Sequence, residues 1–356
     1  MATMNYKCPA CGAPLTFNPD TQRFDCEYCL SQFSPEKIQQ MNAESEGKED
    51  SAQRAQQRAN QSNTYDDDAV LYTCPSCGAE VVTTASTAAT FCYYCHNPVV
   101  LGGRLSGQLK PEKVVPFALS REKAVETFMS FIKKKKFLPN DFASQKQIEK
   151  MTGIYFPYWY VDSQQDSFMT AIGTKVRSWR VGNKRYTETS KYRIVRGGDV
   201  IVNNVFERAL KTTDRDMLQC VHPYDLREAK DFSMSYLSGF FAEKRDLERH
   251  QLQQGVDARI DEYCKEVLKS TAPGYSSIMI ESYRDRTDIE KWTYALLPVW
   301  VLTYKYKGKI YPYAINGQTG KTYGSLPAST GKLFALAGII TAGITLLGLL
   351  GGLLLL

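Results

Sequence analysis

One cysteine spacing occurs twice and limits what the front of this chain can fold into. Residues 8 to 29 read CPACGAPLTFNPDTQRFDCEYC, and residues 74 to 95 read CPSCGAEVVTTASTAATFCYYC. Each is C-x2-C, fourteen residues, then C-x2-C, and together they use eight of the ten cysteines. Two residues between cysteines allow a tight turn that points both sulfurs at one ion. Four thiolates at about 2.3 Å make a tetrahedral zinc site. The expected ligands are Cys8, Cys11, Cys26 and Cys29 for one ion, and Cys74, Cys77, Cys92 and Cys95 for a second. Both sites are expected to be structural, because cysteine fills every position and none remains for water or substrate. Gly12 and Gly78 follow the first pairs, where the turn needs unusual backbone angles. A redox C-x2-C would stand alone in a βαβ setting, not as four pairs at matched spacing. Cys220 and Cys264 have no partner at ligand spacing, and His96 is surplus to four ligands.

The other end of the chain is equally distinctive. Leu333 to Leu356 carries no charge, and its only polar side chains are Thr341 and Thr345. As a helix it would span roughly 36 Å, enough for a hydrocarbon core of about 30 Å. The expectation is a transmembrane helix over 333–356, which would make the chain a tail-anchored, single-pass membrane protein. The N-terminus has no apolar core of a signal peptide. Glu290 is the last acidic residue, and Lys291, Lys305, Lys307, Lys309, Lys321 and Lys332 follow it. That asymmetry places the N-terminal bulk in the cytoplasm at the cell membrane. A reducing compartment in turn disfavours structural disulfides. Gly348 and Gly352 stand at G-x3-G spacing, which would let two copies pair into a homo-oligomer through this helix.

Charge is uneven. Residues 1 to 100 hold six Lys+Arg and twelve Asp+Glu, a net of −6; the totals of 44 and 38 leave 38 and 26 for the remainder, a net of +12. Residues 1–33 and 69–101 are expected to be two zinc ribbons. Residues 34–68 form a polar spacer, helical or disordered, whose composition buries little apolar surface. A basic, Tyr-rich α+β domain with mainly antiparallel sheet should occupy 110–327. The expected fold class is thus multidomain: two small four-cysteine zinc ribbons, one α+β domain and one C-terminal transmembrane helix. Within 110–327, apolar positions at Ala124, Val125, Phe128, Phe131 and Ile132 predict a helix over Ser120 to Phe137. Val256, Ile260, Tyr263, Val267 and Leu268 predict another over Leu247 to Lys269. Tyr155 to Val161 and Leu296 to Leu302 each hold Pro-x-Trp in a strand-like run and are each followed by a second such run. Proline there suggests an edge or a strand start. Ser178 to Arg196 reads as a hairpin around Gly182-Asn183, with another turn at Gly197-Gly198.

No catalytic set emerges. Gly317 to Thr322 resembles a phosphate loop, but two residues separate its glycines where four are needed. Asn316-Gly317 reads instead as a type I′ hairpin turn. There is no G-x-S-x-G and no H-E-x-x-H, and only three histidines exist. The chain is expected not to be an enzyme and to have no catalytic residues.

Twin C-x2-C ribbons, LPVWV at Leu297 to Val301 with YAINGQTGK at Tyr313 to Lys321, and an apolar end occur together. This combination resembles bacterial membrane-anchored zinc-ribbon proteins of the YdjG type. The resemblance implies an adaptor that recruits PspA-like and SPFH-like proteins, alongside a TPM-domain partner, to the lipid bilayer in the envelope stress response. The alternative is a tethered nucleic-acid binder. Affinity for phosphates comes largely from Lys and Arg, and each zinc ion held by four thiolates adds a formal −2, so the acidic ribbons are poor candidates for nucleic acid. The back half is basic and aromatic, as single-strand binders can be.

Overall fold

Two strands carrying the Pro-x-Trp runs form the spine of the molecule, which is described here from a computed structural model. The structure describes residues 3–4, 6–41, 69–74, 80–84, 86–92, 97–101, 105, 109–139, 142, 144, 148–211 and 221–354. Front strands are β1 (Thr3–Met4), β2 (Thr16–Asn18), β3 (Arg23–Asp25) and β4 (Gln32–Phe33). Next come β5 (Ala69–Thr73), β6 (Glu80–Thr84), β7 (Thr87–Phe91), β8 (Pro98–Leu101) and β9 (Lys113–Val114). The long strands are β10 (Thr152–Val181) and β11 (Lys184–Arg208); β12 (Lys230–Asp231) and β13 (Phe241–Glu243) are short. The chain then forms β14 (Ser277–Tyr306), β15 (Lys309–Asn316) and β16 (Thr322–Gly324). The long helices are α1 (Arg121–Lys133), α2 (Arg249–Ser270) and α3 (Thr330–Leu354), and residues 35–41 form a short helical stretch after β4.

β10 and β14 pair antiparallel from Thr152↔Val301 to Thr174↔Ser277, so the two Pro-x-Trp runs lie against each other with Phe156 opposite Leu297. Neither proline lies on a sheet edge. On its outer flank β10 pairs with β13 at Ile154 and Tyr155, then with β11 from Tyr158 onward. Pro157 falls between those two partners. β14 likewise pairs with β9 at Ala295 and Leu296 and with β15 from Val299. Pro298 falls in that interval. A residue without an N–H is tolerated where one partner strand hands over to the next.

The expected α+β domain gives way to a mostly β fold dominated by one 11-stranded sheet, ordered β1-β8-β7-β13-β10-β14-β15-β16 along its main path. Segments read as separate strands are continuous. Ser167 to Lys175 belongs to β10, and Gly197-Gly198 is no turn but lies within β11. A Cβ on Gly197 would meet the Phe168 ring at 2.9 Å, so glycine there admits a cross-strand aromatic ring. β7 and β8, from the second cysteine repeat, belong to this main sheet. Helix α2 buries Val256, Ile260, Cys264 and Leu268 against Val161, Met169, Ile194 and Val200 of the sheet. Cys264 is thereby a core residue, while Cys220 and His96 lie outside the described residues, as does the spacer from residue 42 to 68.

The expected transmembrane helix is overturned. Among the described residues no helix is long and apolar enough to cross a membrane. A crossing needs about 20 consecutive apolar residues. The single-pass, tail-anchored placement in the cell membrane, with the bulk in the cytoplasm, rested on that helix and falls with it. Gly348 and Gly352 lie where side chains are not described.

Candidate metal centre

The first cysteine repeat folds as its spacing requires. Strands β2, β3 and β4 form a small antiparallel sheet that presents two knuckles to one point. In the first, Gly12 N–H donates to Cys8 O at 2.8 Å, and Cys8 N–H to Ala13 O at 2.7 Å. In the second, Leu30 N–H donates to Cys26 O at 2.9 Å, and Cys26 N–H to Ser31 O at 3.0 Å. Gly12 and Leu30 occupy the same place in their knuckles and share a left-handed backbone, with φ of 73° and 60°.

The four sulfurs of Cys8, Cys11, Cys26 and Cys29 lie within 4.8 Å of one another. Cys8 Sγ is 3.5 Å from Cys29 Sγ, and Cys11 Sγ is 3.5 Å from Cys26 Sγ. Tetrahedral bonds of about 2.3 Å would set sulfurs roughly 3.8 Å apart, so the cluster fits a single ion. The thiols compete for ionisation. The Ser31 hydroxyl and backbone draw Cys29 down to about 6, helped by its neighbouring thiols. Cys11 receives a lowering backbone hydrogen bond at Ala13, yet burial and the hydrogen bonds of Cys26, Cys29 and Cys8 carry it up to about 12. A divalent cation would remove this competition by stabilising every thiolate.

Apolar and polar contacts join this module to the turns and helix that flank the main sheet. Phe17 N–H donates to Ser238 O at 3.1 Å, and the Ser238 hydroxyl donates back to Leu15 O. The Phe17 and Tyr236 rings meet edge to face at 5.3 Å. Gln22 Nε2 donates to Phe117 O at 2.8 Å, and Lys123 pairs with Asp20 at 2.7 Å. The first repeat is therefore docked rather than free to move on the spacer.

The second repeat reproduces part of this geometry. Cys92 N–H donates to Asn97 O at 3.0 Å, the counterpart of the Cys26–Ser31 bond. Cys74 and Cys92 are buried together with Val99 and Leu101. Cys77 and Cys95 lie outside the described residues. Among the described residues there is one four-cysteine cluster, where two ions were expected.

The second knuckle carries a surface that spacing does not reveal. Tyr28 is 83% exposed and Leu30 is 84% exposed. A left-handed backbone costs a non-glycine residue roughly 1 kcal/mol, and nothing among the described residues covers the Leu30 side chain. The signal was present in the alignment of the pairs: CPACG has glycine where CEYCL has leucine.

The YAINGQTGK run is a clasp, not a phosphate loop. Asn316 is fully buried, with Nδ2 donating to Val221 O at 2.9 Å and Pro223 O at 3.0 Å. Its Oδ1 accepts from the N–H groups of Gln318 and Thr319. Gln318 exchanges two bonds with the Asp225 backbone, and Lys321 Nζ donates to His222 O. Gly320, at φ 75°, closes the loop by donating to Asn316 O at 2.9 Å. The expected type I′ turn at Asn316-Gly317 would need positive φ at both residues, and neither has it.

Compared with known proteins, the chain is 34% identical over 332 residues to the uncharacterized protein YdjG of Bacillus subtilis (strain 168). The match covers 93% of this chain and 92% of that relative. That name carries no statement about zinc or a membrane. No family model matches, and no solved structure matches.

Proposed function

The chain belongs to the YdjG family, and on that premise we propose that it is a non-enzymatic adaptor that gathers PspA-like or SPFH-like proteins in the envelope stress response. The observation that carries this reading is Leu30. It is apolar, exposed and held in a left-handed backbone beside exposed Tyr28 on a metal-stapled knuckle. A strained, uncovered apolar residue is a liability unless a partner covers it. Helix α3 adds a second uncovered apolar surface, with Phe334, Ile339, Ile344 and Leu347 exposed. In this reading the ions are zinc. Cys8, Cys11, Cys26 and Cys29 hold one, Cys74, Cys77, Cys92 and Cys95 hold the other, and both are structural.

The test is capture of a PspA-like or SPFH-like protein by the full-length protein. Tyr28→Ala and Leu30→Gly should each weaken capture about tenfold, as truncation at an interface centre does. Leu30→Gly keeps the knuckle's backbone, so the loss would be read from a folded protein. Undiminished capture by both variants, or none by the wild type, would sink the proposal.

A further inference from the structure

The basic half of the chain concentrates its charge on one projection. β10 and β11 stay paired to Val181↔Lys184, whereas β14 leaves β10 at Thr174↔Ser277. Beyond Thr174 the sheet is a bare two-stranded ribbon, extending roughly 25 Å to its tip at Gly182-Asn183. Between Lys175 and Ser190, the two ends of this ribbon, the chain holds five Lys+Arg and one acidic residue, Glu188. Lys175, Arg177, Arg180, Lys184 and Arg185 are all exposed. None of the ion pairs among the described residues involves them.

The two faces of the ribbon differ. Residues directly opposite each other share a face, and neighbours along a strand alternate. One face carries Trp179 opposite Tyr186, with rings stacked at 6.0 Å and 17°. Arg177 lies over Trp179 on that face, and Lys175 lies over Tyr192. The other face carries Arg180 directly opposite Arg185, next to Ser178 and Thr187, whose hydroxyls are 3.0 Å apart. Like charges directly opposite destabilise a strand pair, and an isolated two-stranded ribbon has little stability to spare. Guarding a sheet edge against aggregation needs only scattered charge. It explains neither the Arg180–Arg185 pair nor a stacked Trp and Tyr held out in solvent.

We propose that this ribbon binds single-stranded nucleic acid, with bases stacking on Trp179 and Tyr186 and phosphates running from Arg177 and Lys184 on that face around the tip to Arg180 and Arg185. Charge complementarity supplies the first half of the argument: a polyanion relieves the repulsion at the tip. The aromatic pair supplies the second, since bases stack on exposed rings whatever their sequence. The surface is separate from the metal knuckle, so it stands or falls apart from the adaptor reading.

Fluorescence anisotropy of labelled oligothymidine and oligouridine with the full-length chain tests it. Affinity should fall steeply between about 50 and 200 mM salt. Arg180→Ala with Arg185→Ala should weaken binding at least about tenfold and reduce the salt slope by roughly 1 to 2. Trp179→Ala should weaken it about 5- to 100-fold, with Trp179→Phe recovering most of the loss. Tyr28→Ala should change nothing, and circular dichroism of each variant should match the wild type. Absence of binding at the lowest salt would overturn the proposal. So would indifference to Trp179→Ala, or competition by polyglutamate as strong as by oligonucleotide, which would mark the ribbon as a site for an acidic protein.

Discussion

Trp159 and Trp300 make the same contact in opposite halves of the molecule. Trp159 Nε1–H donates to Leu247 O at 3.0 Å, and Trp300 Nε1–H donates to Leu119 O at 2.9 Å. Leu247 immediately precedes the N-cap of α2, Glu248, and Leu119 immediately precedes the N-cap of α1, Ser120. Each Pro-x-Trp run thus fixes the entry of one helix, and the two runs are paired antiparallel. Trp159→Phe and Trp300→Phe should each cost about 1–3 kcal/mol, because each leaves a part-buried carbonyl unpaired while keeping most of the apolar volume. Urea denaturation measures both. A loss below a few tenths of a kcal/mol in either would show that the indole N–H does not hold the helix entry.

Asn316 should be among the most sensitive residues outside the apolar core. Asn316→Ala removes two donated and two accepted bonds at a fully buried position and leaves the buried Val221 carbonyl without that donor. The expected destabilisation is about 3–5 kcal/mol, against under 1 kcal/mol for exposed Lys305→Ala. Thermal unfolding would register it as a clear drop in Tm.

Stability should fall at acid pH through His222. Its ring lies among Tyr158, Phe206 and Tyr224, and neither ring nitrogen has a hydrogen-bond partner among the described residues. Burial, then the charge of Lys321, lowers its pKa to about 4. The unfolded chain, with an ordinary value of about 6.5, binds the proton first. The stabilising contribution is therefore complete above about pH 6.5 and is lost as pH falls toward 4, amounting to about 3 kcal/mol. His222→Phe should flatten that part of the pH–stability curve. A curve unchanged by this substitution would assign the acid loss to carboxylates instead.

Metal analysis separates the two cysteine repeats. The proposal of two zinc ions gives a content near two per chain for the wild type. Cys26→Ser should bring it near one and release the docked module, since the metal stands in for a core in so small a unit. Protease cleavage between residues 8 and 33 should then rise sharply. A wild-type content of one would leave the second repeat without an ion.

Leu30→Gly offers a trade between stability and binding. Glycine relieves the left-handed backbone at φ 60° and should stabilise the first repeat by about 0.5–1 kcal/mol. Chelator competition should show metal held at least as tightly as in the wild type. A destabilised Leu30→Gly would mean that the leucine side chain packs within the chain after all.

What could be read from the sequence was whatever depends on neighbours in the chain. The knuckle of Cys8 to Gly12 follows from a few residues and one turn, and α1 and α2 follow from apolar periodicity, with helix ends observed at Arg121–Lys133 and Arg249–Ser270. The Gly182-Asn183 turn is likewise local. Partners far apart in the chain decided the rest. Pro157 and Pro298 look like edge residues until the handover between flanking strands is seen, and Gly197-Gly198 looks like a turn until Phe168 is placed across from it. Composition alone turned the apolar end into a membrane span, whereas the structure contains no described helix that meets the requirement. The sequence by itself determined the cysteine cluster, because four ligands around one ion are a matter of short-range spacing. Only the tertiary structure decided that Leu30 stands uncovered and that Lys175 to Ser190 projects as a bare ribbon. Exposure is set by which distant strand pairs stop where, and no local pattern records that.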